Sequence, residues 1–292
     1  MIILEIKTIQ TNAFKILIEA LKEFLLDVNI SFTKKECING ENTGAMSIVA
    51  LNNSSSILVH LKLDANNFEH YVCKKDNINI GVNMTYLYKL IKTINNNDIL
   101  TLFVDDNDIN KLGIKIENAE KNFLSTYKLN LMDLDKINIG VPPTEFTSVI
   151  SMNAQEFHRI CKDLNTIADT VEIKSLQRKL IFHKYNLIFT AKGEIASNEI
   201  ICGETSNGLN ILCNDNDEII QGNYDIKNLI LFTKCTNLCS NVEIYMKNDY
   251  PLVIKYCVAS LGYIHLCLSS ITNNIDEYQD DTSDSDSENI LN

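Results

Sequence analysis

The sequence predicts an α+β protein assembled from two copies of one unit, each with two helices packed on antiparallel sheets. Three observations carry that expectation. Short runs of alternating, β-branched residues separated by Asn, Asp and Gly fill most of the chain. Four segments break the alternation with helical spacing, two in each half. Two of the three prolines, Pro142 and Pro143, fall almost at the midpoint of the 292 residues.

Taken in order, the first helix is expected over about 11–26, with Phe14, Leu17, Ile18, Leu21 and Leu25 on one face. Strands follow, the clearest at 56–63. A second helix over about 84–95 aligns Leu87, Leu90, Ile91 and Ile94, and strands at 99–104 and 111–117 come after it. Residues 127–143 alternate apolar and polar through Leu129, Leu131, Ile137 and Ile139 before reaching the prolines. Proline has no amide donor and pushes the residue before it towards extended geometry, so this stretch reads as a strand running into an extended connector. The third helix, about 154–164, uses Phe157, Ile160, Cys161 and Leu164, with Asn153 as its N-cap. A strand at 187–191 leads to the fourth, about 224–235, built on Ile226, Leu229, Ile230 and the methyl of Thr233. Strands at 241–246, 252–258 and 263–268 complete the second half. The domains are therefore expected at 1–130 and 146–271, with a connector at 131–145.

Residues 272–292 hold seven acids and no Lys or Arg; they supply −7 of the formal −12 and leave −5 for residues 1–271. A Ser/Asp run of this kind cannot bury enough surface to offset chain entropy and is expected to be a disordered acidic tail. Nine cysteines, an odd count without a Cys-x-x-Cys, fit reduced thiols inside a cell rather than a disulfide framework. The apolar start Met-Ile-Ile-Leu meets Glu5 at once, unlike a signal peptide, and no run approaches the ~18–20 apolar residues of a membrane span. The chain contains no Gly-rich phosphate loop, dinucleotide turn or His-Glu-x-x-His helix. Its five histidines are scattered, Cys235 and Cys239 have no nearby histidine to make a zinc site, and Asp133 and Asp135 lack a basic or metal-binding partner. No catalytic activity, metal or cofactor is expected.

The charges on the helices repeat. Counting from the first apolar-face residue, helices one and four carry a basic pair at the first and eighth positions, Lys15 with Lys22 and Lys227 with Lys234. Helices two and three carry theirs at the second and fifth, Lys89 with Lys92 and Arg159 with Lys162. At about 100° per residue the second pattern lies opposite the core-facing stripe and the first to one side of it. A lysine pair on one surface helix needs no special reading. Four helices in two repeated frames, in a net-acidic chain, point to a basic surface facing a polyanion. Such contacts go to phosphates, and are neither sequence-specific nor tolerant of salt.

These elements together resemble the DNA sliding clamps of the proliferating cell nuclear antigen family. The matching strings are Glu19-Ala-Leu-Lys-Glu, Gly81-Val-Asn-Met-Thr, Leu131-Met-Asp-Leu-Asp and Gly140-Val-Pro, then Glu156-Phe-His-Arg-Ile-Cys-Lys-Asp-Leu, Phe232-Thr-Lys and Pro251-Leu-Val. They run in family order over about residues 1–271, and the Leu-Met-Asp-Leu-Asp connector is the most specific. The resemblance implies the DNA-clamp fold, with three subunits closed head to tail into a ring, sheets outside and helices lining the hole. It implies that the eight basic positions face duplex DNA in that hole, with Lys162 and Lys227 standing where the family has Arg. It also implies that residues 123–130 and 195–202 pair across the subunit boundary, through Leu124, Tyr127, Leu129, Ile195 and Ile200. A head-to-tail interface of this kind either closes or propagates as a filament.

The resemblance further implies a pocket beneath the connector for a partner peptide, one turn of helix with an aliphatic and two aromatic anchors. The matching positions are Leu51, Ile139, Val141, Pro142, Tyr250, Pro251, Cys267 and Ser269. Each buried anchor is worth about 1.5–3 kcal/mol, so three of them less ordering costs suit exchangeable, near-micromolar binding. Three departures are expected to change the recognised peptide: Cys267 stands where the family usually has Tyr, Ser270 where it has Pro, and Ser55 where it has His. The loops at 174–184 and 203–217 look longer than the family's, Lys184 matches its modified lysine on the outer face, and the tail has no counterpart of its length. The expected partners are duplex DNA, a DNA polymerase, a clamp loader and other proteins carrying the docking peptide, without cofactor or membrane. The expected location is the nucleus, or a cytoplasmic replication site for a viral chain. Two other classes compete with this reading: a clamp-fold scaffold, monomeric or hetero-oligomeric, that never loads on DNA, and an enzyme using the cysteines.

Overall fold

The computed structural model describes residues 1–38, 41–118, 120–135, 139, 144–176, 186–205, 208–214 and 219–271. The alternating runs form strands because each buries every second side chain, as in Ile57, Val59, Leu61 and Leu63 or Ile264, Leu266 and Leu268. The first half runs β1 (Ile2–Thr8), α1 (Thr11–Phe24), β2 (Asp27–Thr33), β3 (Glu36–Ile38), β4 (Glu41–Thr43), β5 (Ala45–Leu51) and β6 (Ile57–Asp64). It continues with β7 (His70–Cys73), β8 (Asn77–Asn83), α2 (Met84–Ile91), β9 (Ile99–Asp105), β10 (Asp108–Asn118) and β11 (Phe123–Asn130). The second half runs β12 (Ser148–Asn153), α3 (Ala154–Leu164), β13 (Thr170–Leu176), β14 (Asn186–Lys192), β15 (Ser197–Gly203) and β16 (Asn210–Asn214). After these come β17 (Ile220–Asp225), α4 (Ile226–Phe232), a 3₁₀ turn (Thr233–Leu238), β18 (Asn241–Met246), β19 (Leu252–Val258) and β20 (Gly262–Leu268).

The duplication expected from the helices extends to every sheet. In the first half β11-β10-β9-β1-β7 form one sheet, and β6-β5-β2-β8 lie in order at one end of another. In the second half β20-β19-β18-β12-β16 and β15-β14-β13-β17 repeat those two orders strand for strand. Among the described residues the β3–β4 hairpin has no counterpart. The halves are joined because β20 pairs antiparallel with β6 over seven residues, from Gly262 opposite Leu63 to Leu268 opposite Ile57. That pairing fuses two sheets into one of nine strands. The equivalent strands β11 and β15 are each paired on one side only, so each ends its sheet with an open edge.

All four helices form one layer, α1 packing on α2 and on the 3₁₀ turn, and α3 packing on α4 and on the same turn. Phe24 of α1 meets Phe232 of α4 at 6.1 Å between ring centroids, so the helix layer is stitched across the two halves as the sheet is. Asn153 caps α3, its Oδ1 accepting from the amides of Gln155 (2.9 Å) and Glu156 (3.2 Å). Asn83 and Asp225 cap α2 and α4 in the same way. The second helix is shorter than its periodicity suggests, ending at Ile91. The fourth ends at Phe232, and Lys234 sits in the 3₁₀ turn instead of one further α-turn. Thr233 and Thr236 turn their hydroxyls back onto the carbonyls of Ile230 and Thr233, a local competition that favours tightening over a continued α-helix.

After β11 the chain stays extended. The Leu131 amide donates to the Asn110 carbonyl and the Met132 amide to the Gly81 carbonyl, both at 2.8 Å. Asn29 then reaches the Asp135 carbonyl at 3.0 Å. Glycine is required at 81 because a Cβ there would stand 2.3 Å from the Met132 carbonyl oxygen. The second half repeats the anchor: the Ile271 amide donates to the Asn223 carbonyl at 2.8 Å, five residues after Leu266 as Met132 is five after Tyr127. Residues 136–138, 140–143 and the acidic tail lie outside the described residues.

If the Phe24–Phe232 contact is the seam of the helix layer, Phe232→Ala lowers stability by about 3–5 kcal/mol in denaturant unfolding. A loss under about 1 kcal/mol would mean that the sheet alone joins the halves.

Candidate docking pocket and cationic helix face

Four neighbouring strands build the pocket from positions that face away from the core. Across β18, β19, β20 and β6 the register lines up Tyr245, Val253, Cys267 and Leu58 in one row. The adjacent row is Glu243, Lys255, His265 and His60. With Thr144, Phe146, Tyr250, Pro251 and Tyr263, all of these residues except Glu243 line a cavity of about 670 Å³. Its walls are aromatic: Phe146 stands 5.3 Å from Tyr245 and 5.7 Å from Tyr250, and Tyr263 lies 4.6 Å from His265. The Thr144 hydroxyl donates to the Tyr250 hydroxyl at 2.6 Å, tying the end of the connector to the rim.

A small polar cluster sits beside this apolar wall. Lys255 Nζ and the Tyr245 hydroxyl both donate to Glu243 Oε2, the former at 3.0 Å. Burial tends to raise the Glu243 pKa, but those two donors outweigh it and hold the carboxyl below its usual value. His265 is depressed from 6.5 to about 4, by burial first and then by the charges of His60 and Lys255. His60 is lowered as well, by burial and then Lys62, and its Nδ1 is buried without a partner among the described residues. Burial pushes the Cys267 thiol up to about 11, so it acts as a small apolar surface and not as a nucleophile.

Three of the eight positions expected at the pocket, Tyr250, Pro251 and Cys267, line the cavity. Leu51 ends β5 exposed, and Ser269 is exposed beyond β20; neither lines it, and nor does the half-buried Ile139. Val141 and Pro142 lie outside the described residues, as does Lys184. The sequence reading missed Leu58, Phe146, Tyr245 and His265. A signal was present: the positions that alternate with the core in β6, β18 and β20 carry Leu, Tyr and His where a solvent-facing strand would carry charges.

The eight cations lie on the helix layer, but they are not equivalent. Lys15 Nζ donates to the Ile94 carbonyl at 2.9 Å, beyond the C-terminal end of α2, where a cation is favoured. Lys22 meets Glu23 at 2.6 Å, Arg159 meets Glu156 at 3.3 Å and Lys227 meets Asp169 at 3.0 Å. Lys89, Lys92, Lys162 and Lys234 are exposed and form no ion pair among the described residues. Exposed pairs contribute little to stability, yet each cancels a positive charge seen from outside.

At the open edges Tyr127 and Leu129 of β11 and Ile200 of β15 lean on the core, half-buried. Leu124 is on the opposite face of β11, 59% exposed. Ile195 lies before β15, in the turn, and is fully exposed. Phe123 and Ile201, which the sequence reading did not single out, are also exposed apolar residues of these strands.

The histidines give the pocket a pH signature. Unfolded, His265 takes up its proton near 6.5, and folded only near 4, so in between the unfolded chain binds more protons and stability falls as pH drops. The melting temperature is expected to decline from pH 6.5 to 4, and more shallowly in His265→Phe. Parallel profiles for the two proteins would contradict the assignment.

Comparison with known proteins identifies the family of the chain. Residues 3–138 match the family model for the N-terminal domain of proliferating cell nuclear antigen, and residues 140–271 match that for its C-terminal domain. The chain is 35% identical to a probable DNA polymerase sliding clamp 1 of Paramecium bursaria Chlorella virus 1, over 92% of this chain and 97% of that one. It is 31% identical to a probable DNA polymerase sliding clamp of Acanthamoeba polyphaga mimivirus, over 93% of this chain and 62% of that longer one. The chain belongs to the proliferating cell nuclear antigen family.

Proposed function

We propose that the chain is a sliding clamp: a homotrimer that encircles duplex DNA, holds a DNA polymerase on its template and offers a docking pocket to replication and repair proteins. The observation that carries this reading is the open pair of edges. Since β11 repeats β20 and β15 repeats β6, the junction inside the chain is a template for a junction between copies. Transferring its register sets Leu124 opposite Ile201 of the next copy, Thr126 opposite Glu199 and Lys128 opposite Ser197. Leu124 and Ile201 are 59% and 53% exposed in the single chain, and the transferred pairing would bring them together. Repeating one head-to-tail contact three times closes a ring and leaves neither β11 nor β15 unpaired.

The helix layer supports the DNA-facing surface, since its free cations can meet phosphates without reading bases. Topology then replaces affinity: a ring that cannot fall off needs only weak, salt-sensitive contact. The pocket supports the docking role, with aromatic walls for a short peptide's apolar side chains and Cys267 leaving room for a large one. Thr144, bonded to Tyr250, keeps the end of the connector beside it, in keeping with a partner peptide lying along the connector. A clamp loader would open and close the ring at an intracellular replication site. This function needs no catalytic residue, metal or cofactor. The competing scaffold reading, a clamp fold that never loads on DNA, parts from it at the first measurement.

Light scattering after size exclusion should give about three chains, and Leu124→Glu should give one; a wild-type monomer at micromolar concentration removes the ring. Changing Lys89, Lys92, Arg159 and Lys162 together to Glu should abolish polymerase stimulation on long primed templates and leave the trimer intact. Undiminished stimulation would take these residues off the DNA-facing surface.

A further inference from the structure

Helices α2 and α3 share one frame, with cations at the same two positions, Lys89 and Lys92 in one and Arg159 and Lys162 in the other. They differ three residues before the first cation. In α3 that position is Glu156, whose carboxylate lies 3.3 Å from the Arg159 guanidinium. In α2 it is Tyr86, with the Lys89 ammonium 5.4 Å from the centre of its ring. Tyr86 is 56% exposed, on the helix face that carries the cations. Two residues on, Tyr88 holds a second cation, with the Lys22 ammonium 4.9 Å over its ring and its hydroxyl donating to Glu19 at 2.8 Å. No acid occurs between Met84 and Thr93.

A carboxylate and an aromatic face both hold a nearby cation in place, but only the carboxylate cancels its charge. We infer that α2 is the main phosphate-contacting helix of this chain, and that Tyr86 is a positioning residue which holds Lys89 towards the duplex with its charge intact. In α3 the corresponding Arg159 is muted by Glu156, and Lys162 is left to act alone. Lys227 and Lys22 are muted in the same way by Asp169 and Glu23. Of the four cations without an ion pair among the described residues, Lys89 and Lys92 share one helix while Lys162 and Lys234 stand singly, so the DNA contact of each subunit is concentrated on α2 rather than spread over eight equal cations. An exposed tyrosine has no packing reason to sit there, whereas orienting a cation gives it one. This assignment rests on the helix layer facing DNA.

The test is equilibrium binding of the full chain to a fluorescein-labelled linear duplex, followed by anisotropy from 20 to 150 mM NaCl, for Tyr86→Phe, Tyr86→Glu, Glu156→Gln and the pair Lys89→Glu with Lys92→Glu. Light scattering checks that each variant keeps the wild-type oligomeric state, and Tyr86 is exposed enough that replacing it leaves the core untouched. Tyr86→Glu should weaken binding by at least about threefold and lower the slope of log affinity against log salt by about one. Tyr86→Phe, which keeps the ring, should match the wild type in slope, and Glu156→Gln should steepen it by freeing Arg159. If the lysine pair weakens binding and Tyr86→Glu does not, or if Phe behaves as Glu does, Tyr86 positions nothing. If the lysine pair also leaves binding unchanged, the fault lies deeper: the helix layer does not face DNA, and the inference falls with it.

Discussion

The antiparallel pairing of β20 with β6 is the constraint on which the rest of the structure depends. It fixes the two repeats side by side, fuses their sheets and sets the register of every outward row around the pocket. The interior side of that junction is packed by Val59, Leu61, Ile264 and Leu266, all fully buried. Because side chains alternate across a strand, a slip of one residue would turn this apolar set outward, so the register is strongly specified. The outward side inherits that precision. His60 faces His265 and Leu58 faces Cys267 because the core on the other face allows no other pairing.

In the proposed ring, the same junction explains why the open edges are not a defect. A strand edge with exposed Leu124 or Ile201 would invite aggregation if left alone. In that ring the two edges are complementary, and the β20–β6 pairing is the internal template for how they fit. The repeat also explains the connector: Met132 and Ile271 occupy equivalent anchors on Gly81 and Asn223, so the route that leads from the first domain to the second is the route by which the chain leaves the second.

On the helix layer, electrostatics rather than packing separates otherwise matching positions. Eight cations in two frames look alike when counted, yet three have carboxylate partners and a fourth spends its donor on a backbone carbonyl. The layer is thus a mixed surface with isolated positive sites, which in the proposed clamp would suit a polyanion that must be touched lightly and let go. Tight binding would oppose sliding, because every phosphate contact has to be broken as the next forms.

Much of this was legible in residue order. The four helices, the late strands, the Asn153 cap and the duplication follow from periodicity and local hydrogen-bonding, which act between near neighbours in sequence. The lengths of α2 and α4 were less legible: apolar spacing continues past Ile91 and Phe232, while at the end of α4 the Thr233 and Thr236 hydroxyls tighten the backbone. The pocket was legible only in part. Tyr250, Pro251 and Cys267 could be named, but Leu58, Tyr245 and His265 come from three separate strands and meet only through strand register, and Phe146 joins them from the segment before β12. By itself the sequence determined which faces are apolar, where the chain repeats and which positions carry charge. The tertiary structure alone decided which outward rows share a wall and which cations keep their charge, because both depend on side chains brought together from distant or differently capped segments.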